Sequence, residues 1–124
     1  MTYDSNNVFA RILRGEIPAT IVAQNEHALA FRDINPQAPV HVLVIPRGAY
    51  VSYDDFAANA ADAEIIGFNR LAAEVARSEG LSLAHGGSGF RAIANAGPHG
   101  MQEVPHFHLH LLAGRPMGRM VSLD

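Results

Sequence analysis

Cysteine, lysine and tryptophan are all absent from the 124 residues. Without a thiol there is no disulfide, no thiolate nucleophile and no Cys-ligated zinc. Without lysine there is no P-loop lysine, no Schiff base and no lysyl-nucleotide intermediate. All nine basic residues are arginine, and the net charge of −3 lacks the basic footprint of general nucleic-acid binding. No apolar run approaches the roughly 18 residues of a membrane span. The first ten residues are polar and mixed, without the apolar core of a signal peptide. The expectation is a cytoplasmic protein with neither a nucleic-acid nor a membrane partner, whose covalent chemistry falls to His, Ser, Thr, Tyr or a carboxylate. A composition rich in Ala and Arg and free of Lys suits a bacterium with a GC-rich genome.

What remains is sufficient for a core. Hydrophobic residues make up 48% of the chain, and the length fits one domain, residues 1–124, with an irregular tail over 113–124. Val8 to Arg14 has apolar residues at helical spacing, with Asn6 or Asn7 as N-cap and Gly15 as stop. Thr20–Gln24, Ala28–Arg32, His41–Ile45 and Gly89–Ala94 read as strands. The segment from about Ala61 to Glu79 places Ile65, Phe68, Leu71, Ala72 and Val75 on one helical face, with a short helical turn before it and Gly80 as C-cap. Helix, strands, helix, strands with hairpin-like connections predict an α+β fold. It has a mostly antiparallel sheet, one short N-terminal helix and one long central helix.

The chemistry concentrates in His106-Phe107-His108-Leu109-His110-Leu111-Leu112. Alternation at period two is the pattern of a half-buried strand. Phe107, Leu109 and Leu111 then face a core. His106, His108 and His110 line the other face at about 6.6 Å spacing. Two readings stay open at this point. His-x-His on a strand can place two ring nitrogens on Zn²⁺, with a third ligand from His110, His41 or His99. Without metal, the middle histidine has an imidazole on each side that can hold its tautomer and disfavour its protonation, leaving it neutral and able to attack phosphorus.

The other candidates are weaker alone. Gly97 and Gly100 lie in a loop directly before the histidine row, where backbone N–H groups could approach an anion. Asp33 either caps its loop or holds a ribose diol, since a carboxylate accepts from two hydroxyls at once. His41 matters only if its strand lies near the histidine row. His27 and His85 sit in turn-like contexts and read as surface residues.

These residues resemble the histidine-triad (HIT) superfamily, and within it the Hint-like branch. His106 to Leu112 matches the signature of His-x-His-x-His followed by two apolar residues. Phe9 to Ile12, Gly15 to Pro18, Ala30 to Ile34, Pro36 to Pro39 with His41, Val44 to Pro46, and Asn95 with Gln102 look like the family's blocks in the family's order. The resemblance implies a five-stranded sheet in each subunit of a homodimer and a purine nucleotide pocket, with neither cofactor nor metal. Phe9, Ile12, Phe31, Ile34, Leu43 and Val104 would belong to the nucleotide site, and Asp33 would hold the ribose hydroxyls. Asn95, Gln102 and the outer histidines, His106 and His110, would contact the α-phosphate, and His41 would assist. His108 would be the nucleophile. The reaction implied is hydrolysis of a P–N bond in a purine nucleoside 5′-phosphoramidate, or of an acyl or aminoacyl adenylate, through a nucleotidyl-histidine that releases a nucleoside monophosphate such as AMP. Members of the animal branch carry Ser at the position of Glu103, where its hydroxyl can assist the leaving group, while bacterial Hint-like proteins resemble this chain in having Glu there, so Glu103 would stand beside the leaving group. Met101 replaces a small glycine of the loop. A nucleotide-binding adaptor with weak residual catalysis is the alternative from another class.

Overall fold

The computed structural model describes residues 2–123. Its elements run α1 (Val8–Leu13), β1 (Ile21–Gln24), β2 (Ala28–Arg32), β3 (Val40–Pro46), α2 (Tyr53–Asn59), α3 (Asp62–Ser78), β4 (Arg91–Ile93) and β5 (Leu109–Ala113). The strands form one sheet in the order β1-β2-β3-β5-β4, and every described pairing is antiparallel. The HIT-like α+β architecture expected from the sequence is the one observed. No helix of the described residues is long and apolar enough to cross a membrane.

Strand parity decides what each face of the sheet holds. Ala28 and Ala30 of β2, Val42 and Val44 of β3, and Phe107, Leu109 and Leu111 turn to one side. There the apolar stripe of α3 (Phe68, Leu71, Val75) and Phe56 of α2 close over them. Small residues on β2 let the long helix approach closely, and Phe56, Phe68 and Phe107 fill the gap with ring centroids 5.0–5.1 Å apart. The alternate residues Leu29, Phe31, Leu43 and Ile45 turn to the opposite face and pack against Phe9, Ile12 and Leu13 of α1. His41 shares the parity of Leu43, and the three histidines share the parity opposite to Phe107. All four therefore belong to the α1 face.

Local chemistry sets the helix ends. Of the two asparagines offered as N-cap, Asn7 takes the role, its side-chain oxygen accepting from the Ala10 N–H at 2.9 Å. The chain leaves α1 through Gly15 at φ +77°. The α3 N-terminus is tied by Glu64, whose carboxylate accepts from the Ala61 N–H at 3.1 Å.

Three sequence expectations change. The histidine strand is shorter than the alternating run: β5 begins at Leu109, because the last β3 residue paired with it is Val44. Its potential neighbour Pro46 has no N–H to donate, and the Phe107 N–H goes to the Tyr50 carbonyl at 2.7 Å. The segment is also not half-buried: His106, Phe107 and His108 are all buried, because Tyr3 and Phe9 cover the face opposite the Phe107 core. Finally, His27 is only partly exposed, lying against Gly67 of α3, where any Cβ would come within 2.7 Å of its ring. His85 is exposed as expected.

Candidate active site

The β3–β5 ladder brings His41 to the histidine row. His41 pairs with Leu112 and Leu43 with His110, so the two histidines are diagonal neighbours on one face. His41 Nε2 lies 2.9 Å from His110 Nδ1 and 3.4 Å from an Asp33 carboxylate oxygen. His41 Nδ1 accepts from the Gln37 backbone N–H at 3.1 Å. A neutral imidazole that accepts at Nδ1 carries its proton on Nε2. His41 therefore donates to His110 Nδ1, and His110 keeps its own proton on Nε2.

His108 is oriented by the main chain. Its Nδ1 lies 2.8 Å from the carbonyl oxygen of His106. A carbonyl only accepts, so Nδ1 bears the proton and Nε2 holds a lone pair. His108 and His110 line the same pocket with ring centroids 5.0 Å apart, placing a lone pair and an N–H donor on one wall. Phe9 meets the His108 ring edge-on at 4.9 Å.

Burial keeps these rings uncharged. It is the first cause of the lowered pKa of all four histidines. His106, wholly enclosed, is lowered to about 4. His110 is lowered to about 4 by burial and then by repulsion from His108 and His41. Asp33 and Glu103 pull His108 the other way, without overcoming burial.

The pocket has a volume of about 390 Å³. One wall is apolar, built from Phe9 and Ile12 of α1, Phe31 of β2, Leu43 of β3, and Ile34 and Val104 from loops. Asp33, Asn95 and Glu103 add polar groups to the rim. Nearly every residue expected at a nucleotide site is thus brought to one cavity. Three stand behind it. His41 and His106 are buried in the layer beneath the wall. Gln102 braces the glycine loop: its amide donates to the Val51 and Val104 carbonyls at 2.6 and 2.9 Å and its oxygen accepts from the Gly97 N–H at 3.0 Å. His99 is exposed in that loop. Met101 takes a φ of +59°, a left-handed conformation that costs a non-glycine residue about 1–2 kcal/mol.

Sequence reasoning missed Ile17, Pro18, Ala19, Asn35 and Gln37 as pocket residues. The Ile17-Pro18 turn and the Asn35-Pro36-Gln37 loop read as punctuation between elements, and no local signal marks them as wall. Gln37 offered no side-chain clue, since it acts through its backbone N–H.

Among the described residues, one cluster has metal-ligating composition. Donor atoms of Asp33, His41 and His110 lie within 4.8 Å of one another. The Gln37 hydrogen bond puts the His41 lone pair on Nδ1, facing away from the other two groups. The arrangement is a hydrogen-bond relay rather than three lone pairs converging on a cation.

A buried nucleophile-capable imidazole, with three further histidines beside and behind it and an apolar slot before it, defines a histidine-centred small-molecule site on an antiparallel α+β scaffold. The HIT domain profile matches residues 14–117, and the chain belongs to the HIT family, in its Hint-like branch. A 13.2 kDa HIT-like protein of Azospirillum brasilense is 58% identical over 98% of this chain and 96% of its own length. The purine nucleoside phosphoramidase of Escherichia coli is 43% identical over 93% of this chain and 92% of its own. Among solved structures, a HIT family hydrolase from Legionella pneumophila superposes with a TM-score of 0.79 at 44% identity, covering 90% of this chain and 96% of that one.

Proposed function

We propose that this protein is a nucleotide hydrolase that cleaves the P–N bond of purine nucleoside 5′-phosphoramidates, with acyl and aminoacyl adenylates as related substrates. The observation that carries this reading is the His108 tautomer: the His106 carbonyl holds the proton on Nδ1 and leaves Nε2 unprotonated at the pocket wall. Similarity to the Escherichia coli phosphoramidase supports the same substrate class.

The purine and sugar lie in the slot between Phe9, Ile12, Phe31 and Leu43, with Ile34 and Val104 at its sides and the ribose hydroxyls on Asp33. Asn95 and His110 Nε2–H donate to the α-phosphate oxygens, while Gln102 and His106 hold the loop and the nucleophile in place. His108 Nε2 attacks the α-phosphorus, a new P–N bond forms, and the bond to the amine breaks with its electron pair going to nitrogen. Glu103 at the rim passes a proton from water to the departing amine. The hydroxide so left attacks the phosphorus, the bond to His108 breaks with its electron pair returning to Nε2, and the nucleoside monophosphate leaves. No step calls on a cofactor.

A second copy of the chain is the proposed macromolecular partner. β4 is a three-residue edge strand that, among the described residues, pairs on one side only, with β5, and beside it lies a broad groove of about 840 Å³ lined by Phe90, Arg91, Leu112 and Met117. Pairing two such edges would extend the sheet across a homodimer and cover that groove.

The test is steady-state hydrolysis of adenosine 5′-phosphoramidate, with EDTA present, by wild type and His108→Ala. The expected result is wild-type turnover that falls by at least about 10³-fold in the variant while AMP still binds. Turnover that survives in His108→Ala removes His108 as nucleophile. AMP binding without wild-type turnover supports the binding-protein alternative.

A further inference from the structure

The segment ahead of α1 sends a side chain to the histidine row. Tyr3 is partly buried; its hydroxyl oxygen lies 2.6 Å from His106 Nδ1, and its ring meets the imidazole edge-on at 5.6 Å. The other ring nitrogen of His106, Nε2, lies 2.9 Å from the Pro46 carbonyl oxygen. That oxygen can only accept, so Nε2 carries a proton. His106 is wholly enclosed, and a charged imidazole there would be costly. The ring is therefore neutral, its lone pair is on Nδ1, and the Tyr3 hydroxyl is the donor. The chain of bonds does not end there, because the His106 carbonyl receives the Nδ1 proton of His108 at 2.8 Å.

We propose that Tyr3 is a positioning residue for the His108 nucleophile: its hydroxyl pins one ring nitrogen of His106 while Pro46 pins the other, and the carbonyl so fixed sets the tautomer and direction of His108. The inference rests on the reading of His108 as the nucleophile. The segment is built to present Tyr3. Asn7 donates its amide to the Asp4 carbonyl at 2.8 Å while capping α1, and the Asp4 carboxylate accepts from the Asn6 N–H at 2.9 Å. Tyr3 lies outside residues 14–117, the span that the HIT domain match covers.

The test uses Tyr3→Phe, which keeps the ring and removes only the hydroxyl. Two readings are taken on full-length protein. The first is the ¹⁵N–¹H correlation of the histidine rings at pH 7. In wild type, His106 should show its proton on Nε2 alone and His108 on Nδ1 alone. In Tyr3→Phe, the His108 signals should become a mixture of tautomers. The second is hydrolysis of adenosine 5′-phosphoramidate, where kcat should fall about 5- to 20-fold with KM within about twofold of wild type. A His106 proton on Nδ1 in the wild type overturns the proposal without any variant, and so decides the matter even if Tyr3→Phe fails to fold. A folded Tyr3→Phe with unchanged His108 signals and unchanged kcat also overturns it. If wild type shows no turnover, the proposed reaction fails, and the ring spectra still report whether Tyr3 holds the His106–His108 pair.

Discussion

His41 Nε2 and His110 Nδ1 lie 2.9 Å apart, joined across the β3–β5 ladder by a hydrogen bond whose direction a backbone amide four residues before His41 dictates. The Gln37 N–H fixes His41, His41 fixes His110, and His110 is left with Nε2–H as its free donor. His41, buried behind the pocket wall, thereby decides which proton the wall presents. His41→Phe retains ring volume and removes the donor. We expect kcat to fall roughly 10- to 100-fold with the nucleotide Kd little changed, as for loss of an oriented donor to a phosphoryl group. A kcat within twofold of wild type would show that His110 is oriented without His41.

The buried histidines also make stability depend on pH. His106 and His110 have an ordinary value of 6.5 and are lowered to about 4 in the folded chain. Above pH 6.5 both are neutral whether folded or unfolded, and the native state has its full advantage. As pH falls from 6.5 towards 4, the unfolded chain binds protons that the native chain refuses, so stability is lost. Below about 4 the native rings are charged too, and this contribution stops growing. For the enclosed His106 the slope approaches about 1.4 kcal/mol per pH unit. The urea midpoint should therefore decline steadily between pH 6.5 and 5, where few carboxylates titrate. A flat midpoint over that interval would show that the rings are not held neutral.

Asp33 faces the pocket while its two oxygens engage the Asn35 N–H at 2.8 Å and approach His41 Nε2 at 3.4 Å. If it also receives the ribose hydroxyls, a 2′-deoxy substrate should lose about tenfold in kcat/KM with wild type, the worth of one charge-assisted hydrogen bond. Asp33→Asn should lose at least as much with the ribose substrate and little more on removing the 2′-hydroxyl. Losses that simply multiply would place the sugar elsewhere.

Phe107 separates the two histidines that define the nucleophile and is 2% exposed between Phe56 and Phe68. Phe107→Ala should lower unfolding free energy by about 3–5 kcal/mol, from lost burial plus the cavity left behind. Urea denaturation measures it. A cost below about 1 kcal/mol would mean that α3 collapses into the space. Such a shift should also release the carbonyl of His106 and reduce turnover in the folded fraction.

Much of this architecture was legible in the chain. The continuous apolar, β-branched run of β3 and the 3.6-residue stripe of α3 are local signals of burial, and they located the central strand and the long helix. The triple histidine, with Asp33 and the aromatic residues around it, marked the site because imidazoles at period two must share a face. The length of the histidine strand was less legible: residues 106–108 alternate like a strand, but ladder pairing depends on a partner, and the partner ends in Pro46. The burial of His106 was hidden for the same reason. Period two says which residues share a face, not whether another segment covers it.

By itself, the sequence determined the fold class, the residues available for chemistry and the face that carries them, because those follow from periodicity and from which side chains exist at all. Only the tertiary structure decided the protonation pattern. Each tautomer is set by a group distant in sequence or by a backbone atom: Tyr3 and the Pro46 carbonyl for His106, the His106 carbonyl for His108, and the Gln37 amide through His41 for His110. A hydrogen bond needs its partner within about 3 Å and correctly directed. Residues 103 positions apart meet that condition only once the chain has folded.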